Sequence, residues 1–214
     1  MCRSVGAIEI VSGARTFNDL STKLGQRANN VGFAMNAGMF DTEGKPIGLM
    51  VEDGHEVHKI NRRKGGGNFH MMPNGVFLIR RDGSASVVES DAFKPATDIA
   101  FATQSGPMLL MGGKLHPSFD TDGESRYIRN GVGIDRGGTP VFVISREPVS
   151  FGKIARFYRD ALGASNALYL DGSVSSLWDP ANGRMDAFTE LGPMIVGFRK
   201  AAVSAPGREV RAKP

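Results

Sequence analysis

The chain has 214 residues, 41% of them apolar, which is enough to close one hydrophobic core. Lysine and arginine number 26 and aspartate and glutamate 22; the basic residues are not interleaved with the aromatics of a base-stacking surface, so no nucleic-acid partner is expected. The single cysteine, Cys2, excludes an intramolecular disulfide and a cysteine-rich metal site, and no apolar run is long enough to span a bilayer.

The first half of the chain is predicted to consist mainly of short strands. A helix begins near Thr16, whose side chain suits an N-cap, and extends to Leu24. Strands are predicted at residues 7–11, 33–36, 48–52, 75–79, 98–103 and 107–111. Residues 61–74 include three consecutive glycines and few aliphatic side chains, so we expect a long loop of the kind that often carries function.

The second half contains the clearest hairpin and the best helix. Strands at 131–135 and 140–145 flank the turn Arg136-Gly137-Gly138. Between about residues 150 and 162, apolar side chains recur at helical spacing, and Gly163 ends the pattern. Further strands are predicted at 167–170 and 194–198.

These elements predict an α+β fold in a single domain. Most strands form hairpins, and one long helix with one helix-to-strand crossover disfavours a doubly wound parallel sheet. We therefore expect a mixed, mostly antiparallel sheet over residues 1–200. Residues 201–214, rich in proline, alanine and charge, are predicted to be a disordered tail.

The end of the strand at 167–170 carries the most suggestive polar motif. Asp171 would stand at the mouth of the sheet, and the backbone amides after Gly172 with the hydroxyls of Ser173, Ser175 and Ser176 suit a phosphate group. The alternative, which these residues alone favour, is that Asp171 caps a turn and the serines satisfy backbone groups.

Other candidates follow the same reasoning, each with a plainer alternative. Asn36, before Ala37 and Gly38, can donate to and accept from a sugar or phosphate, or simply form a turn.

Arg126 and Arg129 precede Asn130, and their guanidinium groups suit hydrogen bonds to phosphate oxygens. The alternative is that both are ordinary solvent-exposed arginines. Glu147 follows one strand and Asp171 another, and if the two strands are neighbours the residues form the carboxylate pair that is common in glycoside cleavage. The alternative is that Glu147 pairs with a surface arginine.

The histidines do not predict a metal site. His55 and His58 lack the flanking helix and glutamate of a zinc enzyme. No metal and no cofactor are therefore expected.

Six motifs in register resemble the phosphodiester glycosidase family, which includes the catalytic domain of the enzyme that uncovers mannose 6-phosphate. The resemblance spans about residues 33–198. The motifs are Met35-Asn36-Ala37-Gly38-Met39-Phe40, Gly48-Leu49-Met50-Val51-Glu52-Asp53-Gly54, Pro73-Asn74-Gly75-Val76-Phe77, Thr103-Gln104-Ser105-Gly106-Pro107-Met108, Arg129-Asn130-Gly131-Val132-Gly133 and Leu170-Asp171-Gly172-Ser173-Val174-Ser175-Ser176.

The resemblance implies a hydrolase that cleaves the bond between an anomeric carbon and a phosphodiester oxygen, with a glycan or sugar phosphate as substrate. It implies Asp171 as the leading catalytic carboxylate, with Glu147 as the candidate second one, and Arg129 as a phosphate clamp. The remaining residues expected at the sugar or phosphate site are Asn36, Gly38, Asn74, Ser105, Gly106, Arg126, Asn130, Gly172, Ser175 and Ser176.

The resemblance also bears on location and leaves alternatives open. Similar bacterial members are often exported, so a periplasmic or extracellular location is expected, although the chain as written has no signal peptide. The family's usual Asp-Gly-Gly-Gly-Ser is here Asp-Gly-Ser-Val-Ser, which narrows backbone freedom beside Asp171. A non-catalytic carbohydrate- or phosphate-binding domain and a hydrolase of another cell-envelope glycan linkage are the alternatives.

Overall fold

The computed structural model describes residues 2–3 and 6–200, so the predicted tail lies outside the described residues. Within them the chain forms helices α1 (Phe17–Leu24) and α2 (Phe151–Arg156), and α2 continues as a π-helical turn at Phe157–Ala161. Short 3₁₀ turns occur at Gly25–Asn30, Asn68–His70, Gly172–Val174 and Pro180–Asn182.

The strands of this part of the chain are short. They are β1 (Cys2–Arg3), β2 (Ile8–Val11), β3 (Val31–Asn36), β4 (Met50–Glu52), β5 (His55–His58), β6 (Gly75–Arg80), β7 (Ala85–Glu89), β8 (Ile99–Ser105), β9 (Met108–Met111), β10 (Lys114–Leu115), β11 (Asn130–Ile134), β12 (Pro140–Ile144), β13 (Ala167–Tyr169), β14 (Leu177–Asp179), β15 (Arg184–Met185) and β16 (Met194–Phe198).

Three sheets share these strands. Sheet 1 has the order β1-β12-β11-β13-β9-β10, sheet 2 the order β15-β14-β3-β16-β2, and sheet 3 the order β5-β4-β8-β6-β7. The α+β prediction is confirmed. The sheet is less mixed than predicted, because every strand pair among the described residues is antiparallel.

The inner faces of the three sheets meet in one hydrophobic core. Phe142 of sheet 1 packs against Phe33 of sheet 2 at 5.2 Å and against Phe77 of sheet 3 at 5.6 Å between ring centroids. All three side chains are almost completely buried. Aromatic contacts of this kind add to the free energy of burial, so this junction fixes the sheets relative to one another.

The helices cover the outer faces of two sheets. Phe17 and Leu20 of α1 pack on sheet 2, while Ile154 and Tyr158 of the second helical segment pack on sheet 1. Side-chain oxygens of Thr16 and Ser150 accept backbone hydrogen bonds at the two N-termini, as capping residues do. The predicted helices are therefore confirmed, with their apolar stripes facing the sheets.

The glycines of the Asn-Gly-Val-Gly motif have a packing role. A Cβ on Gly133 would lie 2.6 Å from the ring of Tyr158, which is closer than atoms can pack. Alternating glycines on β11 thus let the helix approach sheet 1 closely. None of the helices in the described part of the chain is long and apolar enough to cross a membrane.

Candidate active site

The candidate site lies at one edge of sheet 1, where three strand ends meet. β12 and β13 flank β11 and both run antiparallel to it. Asn130, which begins β11, pairs with Ile144 at the end of β12, and Gly131 pairs with Tyr169 at the end of β13. The segments before β11 and after β12 and β13 therefore converge, and these segments contain most of the polar candidates.

Asn36, at the end of β3, ties sheet 2 to this edge. Its amide nitrogen donates to the backbone carbonyl of Asp171 at 2.7 Å, and its Oδ1 accepts from Asn130 Nδ2 at 2.7 Å and from the Ser176 amide at 3.1 Å. Both asparagines are fully buried. Asn36 and Asn130 thus hold the Asp171 loop in place, and neither lines the open surface of the site.

Asp171 lies just below that surface, about 9% exposed. Its Oδ1 accepts two hydrogen bonds from Ser173, from the amide at 3.2 Å and from the hydroxyl at 2.5 Å, while Oδ2 accepts none from the described residues. Burial raises the pKa of Asp171, and the bonds from Ser173 oppose this rise. The side chain is therefore a carboxyl group that holds its proton to higher pH than an exposed aspartate does.

An open cleft of about 960 Å³ lies over this edge. Its lining includes three arginines, and no aspartate or glutamate among the described residues contributes to it. The lining residues are Asn68, Ser125, Tyr127, Ile128, Arg129, Ser145, Arg146, Tyr169, Gly172, Ser173, Ser175, Arg184 and Phe188. The cleft is therefore positively charged and suits an anionic ligand.

Arg129 is the buried cation of the cleft, only 1% exposed. Its Nε donates to the Val149 carbonyl at 2.8 Å, Nη1 donates to the Tyr169 hydroxyl at 3.2 Å, and Nη2 donates to the carbonyl and hydroxyl of Ser125 at 2.9 and 3.2 Å. All these acceptors are uncharged. Desolvation lowers the pKa of Arg129, although an arginine remains protonated at any physiological pH.

Stacked rings support Arg129 from behind. Its guanidinium carbon lies 3.6 Å from the ring centroid of Phe151, within range of a cation–π interaction. Phe151 stacks on Phe119, which stacks on the buried ring of His116, both at 4.8 Å between centroids. Burial lowers the pKa of His116, so this ring is more readily neutral than an exposed histidine. The stack fixes the plane of the guanidinium at the cleft.

Tyr169 connects Arg129 with the Asp171 loop. Its hydroxyl accepts from Arg129 and lies against Gly172, where a Cβ would clash with it. Burial raises the pKa of Tyr169, so the group stays neutral. Gly172 is therefore required for close approach of the loop to the tyrosine, and together with Ser173 it forms part of the cleft surface.

Only some of the residues predicted for the site line the cleft, namely Arg129, Gly172 and Ser175. Four others lie in buried contacts that do not reach its lining: Gly38, Asn74, Ser105 and Gly106. A Cβ on Gly38 would clash with β8, and one on Gly106 would lie 2.7 Å from Asn74. The two glycines serve close backbone packing, and Ser176 is buried in the Asn36 network.

Two charged residues predicted for the site lie outside the cleft lining. Arg126 is exposed and pairs with Asp122 at 2.9 Å. Glu147 is exposed, next to Arg146, which does line the cleft. The strands before Glu147 and Asp171 are not neighbours, because β11 lies between them, so their ends are two strand spacings apart, about 10 Å.

Several lining residues were not predicted. Tyr127, Arg146 and Phe188 lie in irregular segments, Arg184 begins the two-residue strand β15, and Tyr169 was predicted only as a buried strand residue. The one available signal was the isolated aromatic side chain in each of two polar segments, around Tyr127 and Phe188. Among the described residues, no group of three or more histidine, cysteine or acidic side chains is placed to hold a metal ion.

A model of the phosphodiester glycosidase family, NAGPA, matches residues 29–193. The chain belongs to the phosphodiester glycosidase family. The match covers all the segments that meet at the cleft, from β3 to the loop before β16.

Two solved structures share the fold of this chain. The catalytic domain of zebrafish N-acetylglucosamine-1-phosphodiester alpha-N-acetylglucosaminidase, auto-inhibited by its pro-peptide, has a TM-score of 0.64 at 17% identity, covering 91% of this chain and 73% of that one. A candidate exported protein from Burkholderia pseudomallei K96243 has a TM-score of 0.55 at 14% identity, covering 89% of this chain and 71% of that one. At these identities the likeness concerns the fold.

The uncharacterized protein YigE of Escherichia coli K12 is similar to this chain in sequence. It is 39% identical over 148 residues, which are 69% of this chain and 58% of YigE. The matched part thus spans somewhat over half the length of that relative. Family and fold together support a glycosidase-type hydrolase.

Proposed function

We propose that this protein hydrolyses a sugar-1-phosphodiester, breaking the bond between the anomeric carbon and the phosphodiester oxygen. Water supplies a hydroxyl to the sugar and a proton to the products, which are a free sugar and a phosphomonoester. The observation that carries the proposal is the buried guanidinium of Arg129 at the cleft, beside the loop that holds Asp171. Its hydrogen-bond partners among the described residues are all uncharged.

Arg129 is proposed to bind the phosphate. Its Nη1 donates to one described acceptor and therefore has a second N–H available, and its charge lacks an acidic partner among the described residues. A phosphate leaving group is already acidic, so its departure needs neutralisation of charge more than protonation. Arg146 adds positive charge to the same cleft, whereas Arg184, which also lines it, is paired with Asp186 at 2.7 Å.

Asp171 is proposed to stabilise the positive charge that develops on the sugar in an oxocarbenium-like transition state. Its Oδ1 accepts from the hydroxyl of Ser173, an exposed residue of the cleft lining, and rotation of the Ser173 side chain would open the carboxylate to the cleft. This role requires the ionised form, which burial disfavours by raising the pKa of Asp171 and which the bonds from Ser173 favour by lowering it. Glu147 as a second carboxylate stays a prediction, since it is exposed outside the lining.

The test is turnover of sugar-1-phosphodiesters and of p-nitrophenyl glycosides with matched sugars. We expect release of phosphomonoester from the phosphodiesters only, and loss of at least about 10²-fold in kcat for Asp171→Asn, the usual range for a lost catalytic carboxylate. Glu147→Gln is run in parallel: an equal loss would assign Glu147 as the second carboxylate, and wild-type kcat would remove it from the mechanism. Full activity of Asp171→Asn would refute the role of Asp171.

One observation favours a second function, a non-catalytic domain that binds sugar phosphates. Asp171 does not line the cleft, because Gly172 and Ser173 lie over it. Calorimetric binding of a sugar phosphate without any product after long incubation would support this function over hydrolysis.

We further propose export to the periplasm or the cell exterior, in keeping with the fold shared with a candidate exported protein. Fractionation of cells that express the complete gene tests this. Protein found only in the cytosolic fraction would contradict it.

A further inference from the structure

The dipeptide Asn-Gly occurs three times in the chain, at Asn74-Gly75, Asn130-Gly131 and Asn182-Gly183. A glycine that follows asparagine has no Cβ to shield its backbone nitrogen, so this nitrogen can attack the side-chain amide carbon of the asparagine. In a folded protein the attack requires that the backbone of the pair rotates and that water reaches the side chain. The three pairs differ in both respects.

Asn74-Gly75 is fixed between two strands. Gly75 begins β6 and pairs with Glu89 of β7 on one side and with Ser105 of β8 on the other. Asn74 is fully buried, and its Nδ2 donates to the Phe69 carbonyl at 2.9 Å. Rotation of this backbone would break hydrogen bonds of the sheet and leave buried polar groups without partners, so the pair is protected.

Asn130-Gly131 is fixed in the same way in sheet 1. Gly131 pairs with Val143 of β12 and with Tyr169 of β13. Asn130 is fully buried, and its Nδ2 donates to Asn36 Oδ1 at 2.7 Å. This pair is therefore held by backbone pairing on both sides and by a buried side-chain hydrogen bond.

Asn182-Gly183 lies in the turn between β14 and β15, and both of its residues are exposed. Gly183 has a φ of 65°, a Cβ added to it would meet nothing within 4 Å, and its amide donates one long hydrogen bond, to the Pro180 carbonyl at 3.3 Å. Asn182 Nδ2 donates to Asp179 Oδ2 at 2.6 Å in exposed surroundings. Exposed turns open locally at little cost in free energy, so this backbone can reach the geometry of attack.

We propose that Asn182 is a site of spontaneous deamidation, at which the folded chain is converted to isoaspartate and aspartate. The Gly183 nitrogen forms a bond to Cγ of Asn182, the Cγ–Nδ2 bond breaks, and Nδ2 leaves as ammonia with the proton of the Gly183 amide. Water then opens the cyclic imide. Attack of water on the main-chain carbonyl gives isoaspartate, which carries an extra methylene in the backbone, and attack on Cγ gives aspartate.

The modification changes the hairpin of β14 and β15. Either product places a carboxylate where the Asn182 amide donates to Asp179, so a hydrogen bond is replaced by repulsion between like charges. Isoaspartate also lengthens the turn, which disturbs the pairing of Asp179 with Arg184. Because β15 has two residues and forms an edge of sheet 2, little other pairing holds it in place.

Peptide mapping by mass spectrometry tests the site. The full chain is incubated at mildly alkaline pH, folded and in denaturant, and conversion of amide to acid is followed at each Asn-Gly pair. Relative to its own rate in denaturant, Asn182 should convert in the folded chain at least about tenfold faster than Asn74 and Asn130, since those pairs react only after the sheets open. Asn68 is the internal control, because it is exposed but followed by Phe69 and should stay unconverted.

Protection of Asn182 by folding as strong as that of the two buried pairs would overturn the proposal, and so would equally fast conversion of Asn68. Asn182→Gln, which can close only a larger ring, should remain unconverted, and conversion at the same rate as the wild type would contradict the mechanism. Asn182→Asp carries the charge of the product and should lower Tm by roughly 2–4 °C, the effect of losing one hydrogen bond. An unchanged Tm would overturn the effect on the hairpin. The site does not depend on the proposed hydrolysis, because mass and Tm are read without substrate.

Discussion

Replacing Arg129 with lysine would keep the positive charge and remove the planar group that the structure holds. The guanidinium makes four hydrogen bonds, to Val149, Tyr169 and Ser125, and packs on the ring of Phe151. A lysine ammonium cannot reach all these acceptors from one point, because its donors spread from a single nitrogen.

The loss can be worked from those contacts. A hydrogen bond from a charged donor contributes about 1.5–3 kcal/mol, and two such bonds are lost, one of them to a Val149 carbonyl that keeps its bond from the Tyr127 amide. We therefore expect Arg129→Lys to lower the free energy of unfolding by about 3 kcal/mol. For a domain of this size that corresponds to a Tm lower by roughly 6–12 °C.

The assay is thermal and denaturant unfolding together with calorimetric titration of inorganic phosphate. Phosphate affinity should fall at least about tenfold, because lysine has no planar group that could hold a donor in the position of the second Nη1 hydrogen. Arg126→Lys is the control, because its surface pair with Asp122 contributes at most about 1 kcal/mol. Wild-type Tm and phosphate affinity in Arg129→Lys would refute the reasoning.

Three further substitutions test the loop after β13. Asp171→Asn should stabilise the protein at neutral pH, because burial raises the folded-state pKa of Asp171. The free energy of unfolding of the wild type then falls as pH rises from the unfolded-state pKa of aspartate through the folded-state pKa. Below the unfolded-state pKa the variant should have no advantage, and denaturant unfolding as a function of pH checks this. Ser173→Gly removes a bond that lowers the same pKa, so the acid limb of the pH–kcat profile should move to higher pH; an unmoved limb contradicts this. Gly172→Ala should lower the free energy of unfolding by about 1–3 kcal/mol in denaturant unfolding, because the new methyl group meets the Tyr169 hydroxyl. Gly66→Ala is the control, because no atom of the described residues lies within 4 Å of a Cβ added there.

The fold could largely be predicted because its elements have strong local patterns. The hairpin around Arg136-Gly137-Gly138 and the helix near residues 150–162 were both recognised from apolar spacing and turn residues. Strands β7 and β14 were not, since Ala85–Glu89 and Leu177–Asp179 are short and depend on pairing with β6 and β3. The placement of β11 between β12 and β13 depends on contacts between residues far apart in the sequence, so no local pattern predicts it.

The site was harder to predict because motif residues and lining residues are mostly different. Asn36, Gly38 and Gly106 occur in the family motifs, and the structure gives them buried contacts that hold backbone in place. The cleft surface comes instead from irregular segments such as the one around Phe188, where sequence periodicity carries no information. Arg129 is both a motif residue and part of the cleft lining, and its role at the site stays a prediction.

The buried charge of Arg129 makes the resistance of the protein to proteolysis depend on its bound ligand. Any anion that binds the folded chain and not the unfolded one adds RT ln(1 + [L]/Kd) to the free energy of unfolding, about 2.7 kcal/mol at a hundred times Kd. Among the described residues no carboxylate pairs with the desolvated guanidinium of Arg129, so anions from solution contribute to balancing its charge. Where sugar phosphates are abundant the protein should resist proteolysis, and where they are depleted it should be degraded sooner.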